Sequence, residues 1–152
     1  MSTEENKAVV RRYYEVVLGD GNIELLEQIA VPEYEEHDPL PGQGTGREGL
    51  KQRVEMLRTA FQPRFTLEDV IAEGDKVVVR WTNNGTHVQE FMGMPPTGKS
   101  FSIAGIDIHR LSGGKMAEPR CEAALKCAII GVGRSTVDQH AVPALSRSIF
   151  QP

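Results

Sequence analysis

One carboxylate in this chain lies where a carboxylate is unexpected. The alternating pattern from Ser100 to Leu111 predicts a β-strand, with Asp107 on one face and Ile106 and Ile108 on the other. The face of Asp107 also carries Phe101, Ile103, Gly105 and His109. Burying a carboxylate there is costly unless it is paired, solvated or used in chemistry. Asp107 is therefore the first residue to question, and because desolvation raises the pKa of a carboxylate, it is a candidate for proton transfer.

Two other interpretations of Asp107 stay open. The carboxylate could be structural, paired with Arg80 or Arg110, or it could face the partner subunit of a dimer. His109 shares the strand parity of Asp107, so it is expected to line the same cavity nearer the rim. An ordinary core or surface histidine would show the same pattern.

A second candidate lies in a loop rich in proline and glycine, from Tyr34 to Gly44. His37 in this loop could act as an acid, a base or a hydrogen-bond donor. The alternative is a solvated histidine beside a turn formed by Asp38 and Pro39. His87 carries less information, because it has no chemical neighbour in the sequence.

Other kinds of chemistry find little support. No two histidines stand four residues apart and no His-x-Glu motif accompanies the cysteines, so no metal is expected. Cys121 would need a neighbouring base to act as a nucleophile, which a sequence alone cannot demonstrate. There is no phosphate loop, dinucleotide motif or Ser–His–Asp signature, so no cofactor is expected either.

The composition is that of a soluble globular protein. The chain has 152 residues, a net charge of −4 and 39% hydrophobic residues, enough to form a core without disulfides or metal. Without a basic block, nucleic acid and anionic membranes are poor candidates for partners. The polar start of the chain and the lack of a long apolar run predict a cytoplasmic location, with Cys121 and Cys127 as reduced thiols.

The first half of the chain predicts helices. The first helix would begin at a capping box formed by Ser2 and Glu5 and end near Gly19, with apolar residues at 9, 13, 16 and 17. A short second helix is expected over 23–29. The third would begin at another capping box, formed by Thr45 and Glu48, and carry an apolar stripe at 50, 54, 57 and 61.

The second half predicts strands at 65–73, 76–87, 100–111 and 115–121, joined by glycine turns and by a loop with two adjacent prolines. In the second strand Val77, Val79 and Trp81 share one face. Helices followed by an antiparallel meander predict an α+β domain with helices on one face of a curved sheet. Residues 1–130 are expected to form one domain, with a candidate helix at 122–130, and residues 131–152 a C-terminal tail of uncertain structure.

Several strings of residues, in this order of elements, resemble the SnoaL-like polyketide cyclase and ester cyclase family of the NTF2-like superfamily. The strings are Val10–Tyr14, His37–Gly42, Gly46–Gly49, Asp75–Thr82, Gly85–His87, Phe91–Lys99 and Gly105–Ile108. The sequence Met-Pro-Pro-Thr-Gly before a strand, at residues 94–98, is the most specific of them.

The resemblance implies a cone-shaped α+β fold, in which a curved antiparallel sheet wraps around helices and encloses an apolar pocket. It implies homodimers formed through the sheet, and ring closure by intramolecular aldol condensation with acid–base residues and no metal or organic cofactor. The expected catalytic residues are then Asp107 and His37. The expected contacts with a small, flat, hydrophobic substrate are Tyr13, Tyr14, Trp81, Phe91, Met94, His109 and Cys121.

The last strand departs from the family pattern. Pro119 replaces the usual histidine, and Cys121 stands where the cyclases carry an acid–base aspartate. The leading hypothesis is a cyclase-type protein acting on a small hydrophobic carbonyl or ester compound. One alternative, which the departure favours, is a non-catalytic ligand-binding or dimerisation module. Another is an enzyme with different chemistry, such as a ketosteroid-isomerase-like proton transfer or epoxide opening by activated water.

Overall fold

The computed structural model describes residues 1–122, with side chains up to residue 120. The helical part comprises α1 (Thr3–Arg12), a π-helical segment (Tyr13–Gly19), a 3-10 turn (Ile23–Leu25), α2 (Leu26–Ile29) and α3 (Gly46–Phe61). The strands are β1 (Arg64–Glu73), β2 (Lys76–Thr86), β3 (Ser100–Ser112) and β4 (Lys115–Glu122). The predicted α+β order of helices before strands is confirmed.

The start of α1 has the predicted capping box. The backbone N–H of Ser2 donates to Glu5 Oε2 over 2.6 Å, and Ser2 Oγ accepts from the Glu5 N–H over 3.2 Å. These bonds satisfy backbone donors that have no partner within a helix, so they fix where the helix begins.

The π-helical segment that follows α1 was not expected. In its last turn the Asp20 N–H donates to the Glu15 carbonyl, five residues back, over 3.1 Å. Wider turns of this kind are rare and often occur at functional sites. The buried residues of this segment include two neighbouring tyrosines, Tyr13 and Tyr14.

The predicted capping box of α3 is wrong. Among the described residues, Thr45 flanks the helix without a side-chain cap. Glu48 pairs instead with Lys51, whose Nζ lies 3.1 Å from Glu48 Oε1. The N–H of Arg47 donates to the carbonyl of Pro32 over 3.0 Å. The preceding loop therefore satisfies a donor of the first turn that a cap would otherwise serve.

The four strands form an antiparallel meander in the order β1-β2-β3-β4. Opposite pairs in β2 and β3 include Trp81 with Gly105 and Val79 with Asp107. Register shifts after Leu67 in β1 and after Arg110 in β3 bend the sheet. Its concave face therefore curves around the helices.

The hydrophobic core lies between this inner face and the helices. It includes Val10, Tyr14, Leu26, Leu50, Val77 and Val79. A smaller cluster of Ala60, Phe61 and Phe91 packs at the end of α3. Among the described residues, no helix is long and apolar enough to cross a membrane. The candidate helix at 122–130 begins at the last residue of β4, and its remainder and the tail at 131–152 lie outside the described residues.

Candidate functional site

A cavity opens between the inner face of the sheet and the helices. The space available to the centre of a water-sized sphere is about 80 Å³, and one water needs about 10–15 Å³ on this measure. There is thus room for several waters or for part of a small ligand. The aromatic part of the lining comprises Tyr13, Tyr14, Tyr34, Phe61, Phe65, Trp81 and Phe101.

Asp107 lies in this cavity, and its two oxygens have different surroundings. Oδ2 accepts hydrogen bonds from the indole N–H of Trp81, at 2.9 Å, and from the hydroxyl of Tyr14. Oδ1 is enclosed, and it has no hydrogen-bond partner among the described residues. One oxygen is therefore anchored, while the other keeps lone pairs that a ligand or water must satisfy.

The interpretation of Asp107 as an arginine-paired carboxylate is wrong. Arg80 Nε lies 2.6 Å from Asp69 Oδ2 on the other face of the sheet. Arg110 pairs with Glu118 on the adjacent strand. Both arginines named as possible partners are therefore bound elsewhere, and Asp107 is held by neutral donors instead.

Tyr14 is the central residue of a hydrogen-bonded group, the Asp107 cluster, which comprises Tyr14, Trp81, Asp107 and His109. Burial raises the pKa of its hydroxyl well above the usual value, and the neighbouring Asp107 carboxyl raises it further. Tyr14 is therefore protonated at neutral pH and donates its single proton to Asp107 Oδ2. The π-helical segment supplies this tyrosine from a position far from Asp107 in sequence.

His109 extends the network on the other side of Tyr14. Its Nε2 lies 3.0 Å from the Tyr14 oxygen. Burial lowers the pKa of His109, opposed by the nearby Asp107, so the ring is neutral at pH 7. Because the Tyr14 proton is already directed at Asp107, Nε2–H donates to Tyr14 and Nδ1 carries the lone pair. The expected position near the rim is wrong, since His109 is only 2% exposed.

Gly105 creates the space that Trp81 occupies. A Cβ at this position would lie 2.8 Å from Cη2 and 2.9 Å from Cε2 of the indole, closer than such atoms approach. The bare backbone therefore lets Trp81 lie flat against β3 and direct its N–H at Asp107. The lack of a side chain at residue 105 therefore matters for the position of Trp81 in the site as well as for the strand.

His37 is not brought next to Asp107. Its Nε2 lies 2.6 Å from Glu118 Oε2, and it is not among the residues that line the cavity. The hydrogen bond from Arg110, and then that from His37, lowers the pKa of Glu118 to about 2. The catalytic role of His37 stays a prediction.

Ligand atoms of Glu35, His37 and Glu118 lie within 4.8 Å of one another, a spacing that would accommodate a cation. Glu118 is, however, already neutralised by Arg110. The donor set therefore gives no reason to assign a metal.

Three further predicted contacts lie apart from the cluster or outside what is described. Phe91 packs on Phe61 with ring centroids 4.7 Å apart, and Met94 packs against the same cluster; neither is in the cavity lining. The backbone of Cys121 pairs with that of Asp107, but its side chain lies outside the described side chains. Their roles in binding stay predictions.

Sequence reasoning missed four polar residues of the lining: Tyr34, Glu36, Arg53 and Asn83. Arg53 Nη1 lies 3.8 Å from Glu36 Oε2, so the charges of this pair balance. Asn83 could have been found, because it continues the alternation of Val77, Val79 and Trp81 along β2. Tyr34 and Glu36 lie in an irregular loop, where no period marks which side chains face inward.

Comparison with solved structures shows the same fold in other proteins. TsrD from Streptomyces laurentii matches with a TM-score of 0.77 and 26% identity, over 88% of this chain and 98% of that chain. A candidate SnoaL-like polyketide cyclase from Jannaschia sp. CCS1 matches with a TM-score of 0.77 and 21% identity, over 88% and 95% of the two chains. AclR from Streptomyces galilaeus, named as a candidate hydroxylase, matches with a TM-score of 0.71 and 22% identity, over 89% and 100%. The last two likenesses show the fold alone.

The family comparison covers most of the chain. No curated protein matches it. The model of the family described as SnoaL-like polyketide cyclase matches residues 7–122, which include every residue of the Asp107 cluster and all four strands. The chain therefore belongs to the SnoaL-like polyketide cyclase family, with the α+β fold of the NTF2-like superfamily.

Proposed function

We propose that the protein catalyses a cofactor-independent acid–base reaction on a small hydrophobic carbonyl compound, of the kind that closes a ring by intramolecular aldol condensation. The observation that carries the proposal is the Oδ1 atom of Asp107, which is buried without a partner among the described residues, on a side chain that lines an aromatic cavity. Because Oδ1 is covered in this conformation, the lining must shift for a substrate to reach it. A base needs a free lone pair held in a fixed direction, and the bonds to Oδ2 supply that direction. Membership of the family supports ring closure as the outcome.

In the first step, Asp107 Oδ1 takes a proton from a carbon next to a substrate carbonyl, which leaves an enolate. The enolate carbon then attacks a second carbonyl carbon of the same molecule, so a carbon–carbon bond forms and that carbonyl oxygen becomes an alkoxide. The protonated Asp107 returns its proton to the alkoxide. Protons and electrons balance without any other reactant, which agrees with a base that also serves as the acid.

Tyr14 and His109 support Asp107 in this scheme. The Tyr14 hydroxyl holds Oδ2 in place, and the N–H of His109 orients the Tyr14 oxygen. Both rings are neutral at neutral pH, so they position the carboxylate through hydrogen bonds and not through an ion pair.

The removal of an α-proton can be measured without knowing the natural substrate. We expect wild-type protein to catalyse hydrogen–deuterium exchange at the α-carbon of 2-tetralone in D₂O, followed by ¹H NMR. The variant Asp107→Asn keeps the size of the side chain but lacks the base, so the exchange rate should fall by about 10²–10⁴-fold. Tyr14→Phe keeps the base but removes one of the two hydrogen bonds to Oδ2, and a smaller loss is expected, about fivefold to tenfold, the worth of one hydrogen bond.

Asp69→Asn is the matched control, since it removes a carboxylate from the exposed face of the sheet. It should leave the exchange rate unchanged. A protein that binds 2-tetralone but does not exchange its protons would be a binding module, and the enzymatic proposal would then be wrong. An isomerase of the ketosteroid type shares the proton removal, so conversion of a β,γ-unsaturated ketone to its conjugated isomer would identify that chemistry instead of ring closure.

We also propose that the protein forms a homodimer through the outer face of the sheet. Ile71, Val78 and Ile108 are aligned across β1, β2 and β3, and Ile106 lies beside them on the same face. Ile71 is 63% exposed and Ile106 is 44% exposed. A second copy packed on this row would remove its apolar surface from water.

A further inference from the structure

A buried amide supplies the cavity with a second polar contact that the proposed reaction does not use. Asn83 lines the cavity from β2 and is only 4% exposed. Its Oδ1 accepts a hydrogen bond from the backbone N–H of Arg64 over 3.1 Å. That bond settles which end of the amide is oxygen, so Nδ2 is the end that donates.

The donor end of Asn83 is available to a ligand. Among the side chains of residues 1–120, no acceptor is bonded to Nδ2. Nor is Nδ2 one of the fully enclosed atoms that lack a partner, so part of its surface is accessible, on a side chain that lines the cavity. A buried donor of this kind costs free energy unless water or a ligand meets it.

Asn83 and Asp107 are too far apart to act on one carbonyl group. Asn83 lies opposite Ile103, and Asp107 is four residues further along β3, which is about 13 Å at 3.3 Å per residue. The inner face between them carries Trp81 and Gly105, which offer a flat apolar surface. A molecule that meets both polar groups must therefore be elongated and planar.

We propose that Asn83 is a specificity-determining residue, which binds a neutral acceptor oxygen at the end of the substrate remote from the reacting carbon. The inference rests on the proposed function, because it takes Asp107 as the group that meets the acidic C–H. A single neutral donor suits a ketone or ester oxygen better than an anion. The substrate class is thus an elongated planar ketone or ester, with its acidic C–H at one end and a hydrogen-bond acceptor at the other.

Two probes separate this contact from the proton transfer. One is 2-tetralone. The other is its 6-methoxycarbonyl derivative, which adds an ester acceptor on the far ring and no further acidic C–H. We expect Asn83→Asp, which keeps an acceptor for the Arg64 N–H but loses the donor, to lower kcat/KM for exchange of the ester probe about fivefold, with less than a twofold change for 2-tetralone. The change should appear in KM, because the contact is made equally before and during the reaction.

Asn84→Asp is the matched control: it makes the same chemical change at the neighbouring residue, which is exposed on the other face of β2. It should leave the ratio of the two rates unaltered. The ratio within one variant does not depend on how much of the protein is folded, so partial unfolding cannot imitate the result. Equal losses on both probes, or no loss on either, would overturn the role of Asn83. Absence of exchange by wild-type protein on either probe would instead overturn the proposed function.

Discussion

Burial sets the protonation of the groups around Asp107. It raises the pKa of Tyr14 and lowers that of His109, so both rings are uncharged near neutral pH. Only the carboxyl group of Asp107 can then carry charge in this cluster. Asp107 is therefore held by two neutral donors, Tyr14 and Trp81, and not by a cation.

The lowered pKa of His109 predicts how stability depends on pH. Unfolding exposes the ring and restores a pKa of about 6.5, so below that pH the unfolded chain binds a proton that the folded protein does not. Stability should therefore fall as pH is lowered from about 6.5 toward the folded pKa, by at most about 1.4 kcal/mol per pH unit for this one proton. His109→Gln retains an N–H that can reach Tyr14 but does not titrate. The difference in free energy of unfolding between wild type and this variant isolates the contribution of His109.

Urea unfolding at pH 5.5, 6.5 and 7.5 measures that difference. As pH decreases, the free energy of unfolding should fall more for wild type than for His109→Gln. The other groups that face His109, namely Tyr13, Tyr14 and Asp107, are present in both proteins and do not contribute to the difference. A difference that stays constant with pH would mean that His109 does not gain a proton on unfolding. The assignment of a neutral ring to the folded protein would then be wrong.

The sequence alone predicted some of the residues around Asp107. The period of two along β2 and β3 predicted that Trp81, Asp107 and His109 face inward, and they do. It could not identify Tyr14 as the partner of Asp107, because those residues are 93 positions apart. Which face of a helix meets which residue of a strand depends on packing of the whole chain, and no local pattern records it.

The pairing of β2 with β3 places the indole against a bare backbone. Because Trp81 lies opposite Gly105, the ring can lie across the neighbouring strand and its N–H can reach Asp107 at 2.9 Å. The register of two strands thus determines the orientation of the catalytic candidate. A shift of one residue would turn Asp107 to the outside of the sheet.

Gly105→Ala tests this arrangement. The added methyl group overlaps the indole, so Trp81 must move, and overpacking of this kind costs about 1–3 kcal/mol. We expect a lower free energy of unfolding and a slower proton exchange through a reduced kcat. The chain has one tryptophan, so a change in its fluorescence emission reports movement of Trp81 directly.

A double variant shows whether the effect acts through the indole. In a Trp81→Phe background the overlapping ring atoms are absent, so Gly105→Ala should cost clearly less than in wild type. Equal costs in the two backgrounds would mean that the glycine serves the backbone of β3 alone.

The bounds of the strands were easier to predict than the exact backbone conformation of the first helical region. Strand ends fall within one residue of the expected positions, since turn glycines mark them. The π-helical segment was not predictable, because Val9, Tyr13, Val16 and Val17 fit an α-helix as well. Only the backbone hydrogen bonding reveals the wider turn, as in the bond from the Asp20 N–H to the Glu15 carbonyl.

The two faces of the sheet differ in what they contact in the whole molecule. The inner face, with the helices packed on it, encloses the cavity and the Asp107 cluster. The outer face carries an apolar row in which Ile71 and Ile106 are exposed and Val78 and Ile108 are half-buried. A monomer would gain nothing from exposing the apolar atoms of this row, whereas a dimer would remove them from water.

Ile106→Lys tests the proposed dimer. A lysine in the middle of the row would have to be buried without a partner, so the dissociation constant should rise at least about tenfold, the equivalent of 1.4 kcal/mol. Light scattering coupled to size-exclusion chromatography should give twice the 16.8 kDa of one chain for wild type and a single chain for the variant. Met92→Lys is the control, because Met92 is 50% exposed, comparable to the 44% of Ile106, but lies off the sheet, and it should stay dimeric. A wild-type protein with the mass of a single chain would mean that there is no dimer. A dimer that survives Ile106→Lys but not Met92→Lys would mean that the interface lies elsewhere.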